Sequence, residues 1–173
     1  MKQFAYVSIA AAALVAAGLT VVPTAQAAAV CVDEVTAGGW IPEGEDLFAN
    51  FGLNARLEIQ GGETTLTGEL NFIDADMDCH VVGDEVLSYT ELGDACRVIV
   101  YDVTLSLFDA PQEGEFEAFV LVCDFGEPGT SDTFSIDVFD VTDPDNPVLV
   151  ETCSASGTLA GGDVQLHVYG NCP

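Results

Sequence analysis

In run after run along this chain, apolar and polar residues alternate one for one. A period of two marks a strand with one face buried and the other in water. Leu53, Ala55, Leu57 and Ile59 fall on one side, with Asn54, Arg56 and Glu58 on the other. Leu66, Gly68, Leu70 and Phe72 alternate with Thr67, Glu69 and Asn71, and Ile99, Tyr101, Val103, Leu105 and Leu107 alternate with Asp102, Thr104 and Ser106. Phe134, Ile136 and Val138 repeat the pattern, as do Val164, Leu166 and Val168. Past residue 27 no stretch carries the 3.6-residue period of an amphipathic helix. Turn chemistry separates the runs: Gly61-Gly62, Leu92-Gly93-Asp94, Ala110 to Gly114, and Asp143-Pro144-Asp145-Asn146-Pro147. Glu127-Pro128-Gly129-Thr130 places Pro second and Gly third, as a type II turn requires. The expectation is an all-β, antiparallel β-sandwich of about eight or nine strands.

The first 27 residues are set apart. Lys2 precedes an apolar run from Tyr6 to Val22, and Ala25-Gln26-Ala27 gives a small-x-small cleavage pattern, so residues 1–27 read as a secretory signal peptide. Val30 before Cys31 is too large for a lipoprotein site. No later stretch approaches the roughly 20 apolar residues of a membrane span. A single domain over residues 28–173, secreted or at the cell surface and not inserted in a membrane, is expected. All six cysteines (Cys31, Cys79, Cys96, Cys123, Cys153 and Cys172) follow the leader. In an oxidising compartment they read as three structural disulfides with 15 possible connectivities. Cys31 with Cys172, at the two ends, is the favoured pair, and the rest stay open.

Composition then narrows the partners. After residue 27 the chain has no lysine, and two arginines (Arg56 and Arg97) against 29 acidic residues leave it at −27. Phosphate contacts need Lys and Arg, so nucleic acid and anionic lipid are excluded as partners. A protein or a surface polymer remains, with the oligomeric state open. Such a surface suits a saline or cation-rich habitat, or a very soluble exoprotein. Without lysine, no Lys–Asn or Lys–Asp isopeptide crosslink can form.

Five separated blocks occur in order: Gly38-Gly39-Trp40-Ile41, Asn50-Phe51-Gly52-Leu53, Phe72-Ile73-Asp74, Cys123 to Ile136 (with Glu127-Pro128-Gly129 and Asp132-Thr133-Phe134), and Gly161-Gly162-Asp163-Val164-Gln165-Leu166-His167. Together they resemble the post-COAP family of bacterial extracellular domains. The resemblance implies a β-sandwich of secreted or cell-surface proteins with no assigned enzymatic activity. The chain departs from the family pattern at Phe125 and Asp163 and in its six cysteines. Read without the family, Trp40 after two glycines suits a hydrophobic lid over one end of the sandwich. His167 falls on the polar face of its strand.

The strongest chemical candidate runs from Asp74 to Glu85. Asp74, Asp76, Asp78 and Glu85 occupy positions 1, 3, 5 and 12 of an EF-hand-like spacing, where a hard cation such as calcium takes oxygen donors. Cys79 stands where that loop needs Gly, and the flanks read as strands, so an acidic hairpin tip is the competing reading. Asp124, Glu127 and Asp132 form a second acidic group, and Asp140, Asp143 and Asp145 a third, each also suited to ordinary turn chemistry. His80 and His167 lie in no nucleophile setting, and no phosphate loop or G-x-S-x-G is present. The expectation is a non-enzymatic structural or interaction module without a cofactor; a calcium-dependent binding domain is the alternative, and a small secreted hydrolase the distant third.

Overall fold

The computed structural model describes residues 30–42, 48–170 and Cys172. The leader and its cleavage site lie outside the described residues. The strands are β1 (Val30–Pro42), β2 (Phe48–Gln60), β3 (Glu63–Asp74), β4 (Cys79–Glu91), β5 (Cys96–Leu107), β6 (Ala110–Pro111), β7 (Phe116–Cys123), β8 (Thr133–Asp140), β9 (Val148–Leu149), β10 (Ala155–Thr158) and β11 (Gly161–Gly170). Nine have four residues or more, β6 and β9 have two each, and one 3-10 turn spans Glu151–Cys153. All pairings are antiparallel.

From β1 to β5 and on through β7 and β8 the chain is a meander, each strand hydrogen-bonded to the next. The β2–β3 hairpin turns on Gly61 and Gly62, both at positive φ (64° and 88°). A two-residue loop of this kind needs glycine-like freedom at its centre. In spatial order the sheet runs β10-β8-β7-β5-β4-β3-β2-β1-β11. β10 and β11 are thus at opposite edges, yet only Leu159 and Ala160 join them. Two residues cannot cross a flat sheet of this width, so the sheet curls until its edges meet. Leu159 N–H donates to Asp132 O (2.9 Å) and Ala160 N–H to Trp40 O (3.0 Å) at that meeting point.

Curling puts one face of every long strand inside. Val35, Phe72, Val81, Ile99, Val120, Phe134 and Ile136 are buried there in phase with the alternation. Phe51 on β2 stacks on Phe134 of β8, five places away in the sheet, with centroids 3.8 Å apart. That contact is made across the interior, between facing walls of the curled sheet. One run departs from its pattern. Val164 is buried and Leu166 half-buried, but Val168 is 53 % exposed, on an edge strand with no further strand beside it.

Three disulfides fasten this arrangement: Cys31–Cys172, Cys79–Cys153 and Cys96–Cys123. The first ties the start of β1 to the segment after β11. The second crosses the interior from β4 to the 3-10 turn, and the third joins directly opposed residues of β5 and β7. Such bonds belong to an oxidising environment. No helix among the described residues is long and apolar enough to cross a membrane.

Candidate functional site

Asp74 ends β3, and its side chain folds back onto the turn that follows. Its Oδ1 accepts the N–H groups of Asp76 (3.0 Å) and Met77 (3.1 Å), and the residue is buried. Asp76 and Asp78 are exposed at the tip. Asp78 sits at φ 50°, and its carbonyl accepts the Phe108 N–H (2.9 Å). Glu85, the fourth candidate ligand, is carried away along β4 past a bulge at Gly83 and stands opposite Asp102 of β5. The structure therefore brings Asp74, Asp76 and Asp78 into one turn and leaves Glu85 out of it. Among the described residues no group of three His, Cys, Asp or Glu side chains is placed to hold a metal.

The other two acidic groups bond to main chain. The Thr142 hydroxyl, and after it the Thr142 N–H that Asp140 accepts (2.9 Å), hold the Asp140 carboxyl below the usual range. Asp143 accepts the Asp145 N–H (3.2 Å) and the Asn146 amide (3.0 Å). The turn near Pro128 differs from the type II expectation. It spans Gly126 to Gly129, closed by the Gly129 N–H on Gly126 O (3.1 Å), with Pro128 third and its peptide bond cis.

The Asp124–Asp132 group does something larger. Asp132 is fully buried, and its two oxygens take the N–H groups of Phe125 (2.8 Å) and Val164 (2.9 Å). Asp124 Oδ2 takes the Leu166 N–H (3.3 Å). Val164 and Leu166 lie on β11, an edge strand, so two carboxylates stand in for a missing neighbouring strand and blunt that edge. The motif blocks that are scattered in sequence converge here. Gly38, Gly39 and Trp40 pair with Asp163, Gly162 and Gly161, while Phe51 stacks on Phe134, which also faces Phe72 at 6.1 Å. Gly162 is at φ 107°, and a Cβ there would strike the carbonyl of Gly38. Trp40 lies across Gly161, where a Cβ would meet its indole nitrogen at 2.5 Å, and meets Phe48 edge-on at 4.6 Å. These blocks build the seam where the sheet closes. No protein family, curated protein or solved structure matches the chain.

One cluster was not singled out in the sequence. Arg97 on β5 and Asp33 on β1 form a salt bridge inside the sandwich (2.8 Å), with side chains 2 % and 5 % exposed. Arg97 Nε also reaches both Asp33 oxygens, and its Nη1 donates to the carbonyls of Cys96 (2.8 Å) and Gly93 (3.2 Å). Tyr89 hydroxyl donates to Asp33 Oδ1 (2.7 Å). Burial works against the guanidinium charge, but the hydrogen bonds and charge of Asp33 more than offset it, and the Arg97 pKa is raised. Burial, then the Asp33 bond and charge, hold the Tyr89 hydroxyl neutral well above its usual range. The sequence did carry a signal. Arg97 is in phase with Ile99 and Tyr101, and Asp33 with Cys31 and Val35, so parity alone sends both charges inward.

The outer face of β5, β7 and β8 presents the remaining cluster. Glu85, Asp102 and Glu117 stand directly opposite one another in sequence across β4, β5 and β7, and Glu117 is opposite Phe139. In the next row Val100 and Asp137 flank Phe119. Phe119 and Phe139 meet edge-on at 5.3 Å and floor a groove of about 510 Å³ with Val141, Pro144 and Pro147 on its rim. His80 bonds Asn71 (2.9 Å) and His167 stacks beside Tyr169, both away from this groove.

Proposed function

We propose that the protein is a secreted, non-enzymatic structural or interaction module of the cell envelope or extracellular space. The observation that carries this reading is the use made of the carboxylates. Asp74, Asp124 and Asp132, which sequence offers for chemistry, act as acceptors for main-chain N–H groups, and Asp33 is consumed by Arg97 and Tyr89. Groups held in this way serve architecture: Asp124 and Asp132 hold β11, Asp74 shapes its turn, and Asp33 pairs inside the fold. The ordered blocks that resemble post-COAP domains support the same reading, since they assemble the seam.

The test is the melting temperature of the mature, oxidised protein in EDTA, in millimolar calcium and in molar sodium chloride, alongside turnover assays on polysaccharides and peptides. Stabilisation by molar salt alone, without turnover, is the expected result. A rise with calcium at fixed ionic strength, abolished by Asp76→Asn, would replace this reading with a calcium-dependent binding domain. Hydrolysis of any substrate would overturn it.

A further inference from the structure

We propose that the outer face of β5, β7 and β8 binds a basic segment of a partner protein, with an arginine side chain lying over Phe119 and Phe139 and the neighbouring carboxylates taking its charge. The inference rests on reading the chain as an interaction module and names the partner's chemistry. Phe119 is 41 % exposed in the middle of its strand, and its ring and that of Phe139 line a groove together with Pro144 and Pro147, with Glu117 opposite Phe139 and Asp137 opposite Phe119 in the strand register. Like charges directly opposite across strands destabilise a sheet. Glu85, Asp102 and Glu117 nevertheless form such a row leading into the groove. Neither arginine of the folded chain relieves them: Arg97 is buried on Asp33, and Arg56 bonds Glu58 (2.7 Å) and faces Glu34 (3.8 Å).

Charge complementarity selects the occupant. A guanidinium stacks on aromatic faces and pairs with carboxylates through the same plane, which this combination of groups fits. A second copy cannot supply it, since both of its arginines are engaged in the same way and its own surface is acidic. A neutral sugar could stack on the rings and donate hydroxyls to the carboxylates, but it would leave their mutual repulsion unneutralised.

The experiment is a titration of the ¹⁵N-labelled, mature, oxidised protein with acetylated, amidated tetra-arginine at about 0.15 M salt. Amide shifts should concentrate at residues 85, 102, 117–119 and 137–141. Phe119→Ala and Asp102→Asn, both at exposed positions, should each weaken binding about fivefold or more. Glu63→Gln, at the distant β2–β3 hairpin, should leave binding unchanged. Shifts spread over the whole acidic surface, with Glu63→Gln and Asp102→Asn weakening binding alike, would reduce the effect to diffuse attraction and overturn the proposal. So would no binding at all, or cellohexaose shifting the Phe119 and Phe139 amides where tetra-arginine does not. None of these results touches the proposed function, which is tested separately by calcium-specific stabilisation and by turnover.

Discussion

Asp33 and Asp102 are both carboxylates on long strands of one sheet, and their surroundings are opposite. Asp33 points inward and is met by a guanidinium and a phenol. Asp102 points outward and is met by two more carboxylates, Glu85 and Glu117. The interior cannot hold an unpaired charge, because desolvation costs several kcal/mol per ion. The outer face can hold a whole row, because water and counterions reduce each opposed pair to tenths of a kcal/mol. Pairing inside is therefore a condition of folding. Its absence outside is a condition the fold merely tolerates, and so it carries information about what the surface meets.

The largest effect is expected at Arg97. Arg97→Met leaves Asp33 buried without its partner and should lower unfolding free energy by about 3–5 kcal/mol. The double variant Asp33→Leu with Arg97→Met should lie closer to the parent than the single one, because it removes the charge along with its partner. Urea unfolding of all three proteins measures both. If the single variant lost under 1 kcal/mol, on the order of a surface pair, the interior would be wetter than its burial indicates.

Asp132→Ala comes next. It strips the acceptors from the part-buried Phe125 and the buried Val164 N–H groups at the seam, which together should cost about 2–3 kcal/mol. Asp76→Ala, at the exposed tip of the Asp74 turn, is the matched control and should change thermal stability little. Equal effects at the two sites would mean that the seam carboxylate closes nothing.

Parity made much of this legible in the sequence. The period-two runs place Leu53, Leu70, Ile99 and Phe134 on the inner face where the structure has them. The same rule applied two residues earlier than Ile99 would have found Arg97. What local pattern could not supply is register between distant strands. That Gly39 lies against Gly162 depends on the first long strand pairing with the last, and that Asp132 reaches β11 depends on how far the sheet curls; no neighbouring residues encode either. The EF-hand-like spacing does not bring Glu85 to the Asp74 turn for a related reason. Twelve positions wrap back on themselves only in a loop, and here the last seven lie along a strand that carries Glu85 off to Asp102.

Alkaline pH sharpens the comparison from the interior side. The fold holds Tyr89 and Tyr101 as neutral phenols above their ordinary range, Tyr101 through burial and Tyr89 through burial plus Asp33. In the unfolded chain both ionise near pH 10. The unfolded state then releases protons that the native state keeps, so stability is complete below about pH 10 and falls as pH rises beyond it. Melting temperatures from pH 8 to about 11 should show this decline, and Tyr89→Phe should make it shallower. A slope unaffected by that substitution would place the alkaline sensitivity elsewhere.

The smallest effect is the most informative about the outer face. Asp102→Asn removes the central charge of the Glu85–Asp102–Glu117 row, touches nothing inside, and should raise stability by roughly 0.2–1 kcal/mol. Because Glu85 and Asp102 are exposed and Glu117 is half-buried, the gain should be largest in low salt and shrink in molar sodium chloride, where the Debye length falls to about 3 Å. The loss caused by Arg97→Met should persist in both, since salt does not reach a buried pair in the same way. A stabilising substitution that also weakens tetra-arginine binding would identify the row as charge kept at the expense of stability. If Asp102→Asn left the melting temperature unchanged even in low salt, solvent ions would already neutralise the row. The repulsion that favours a cationic partner would then be gone.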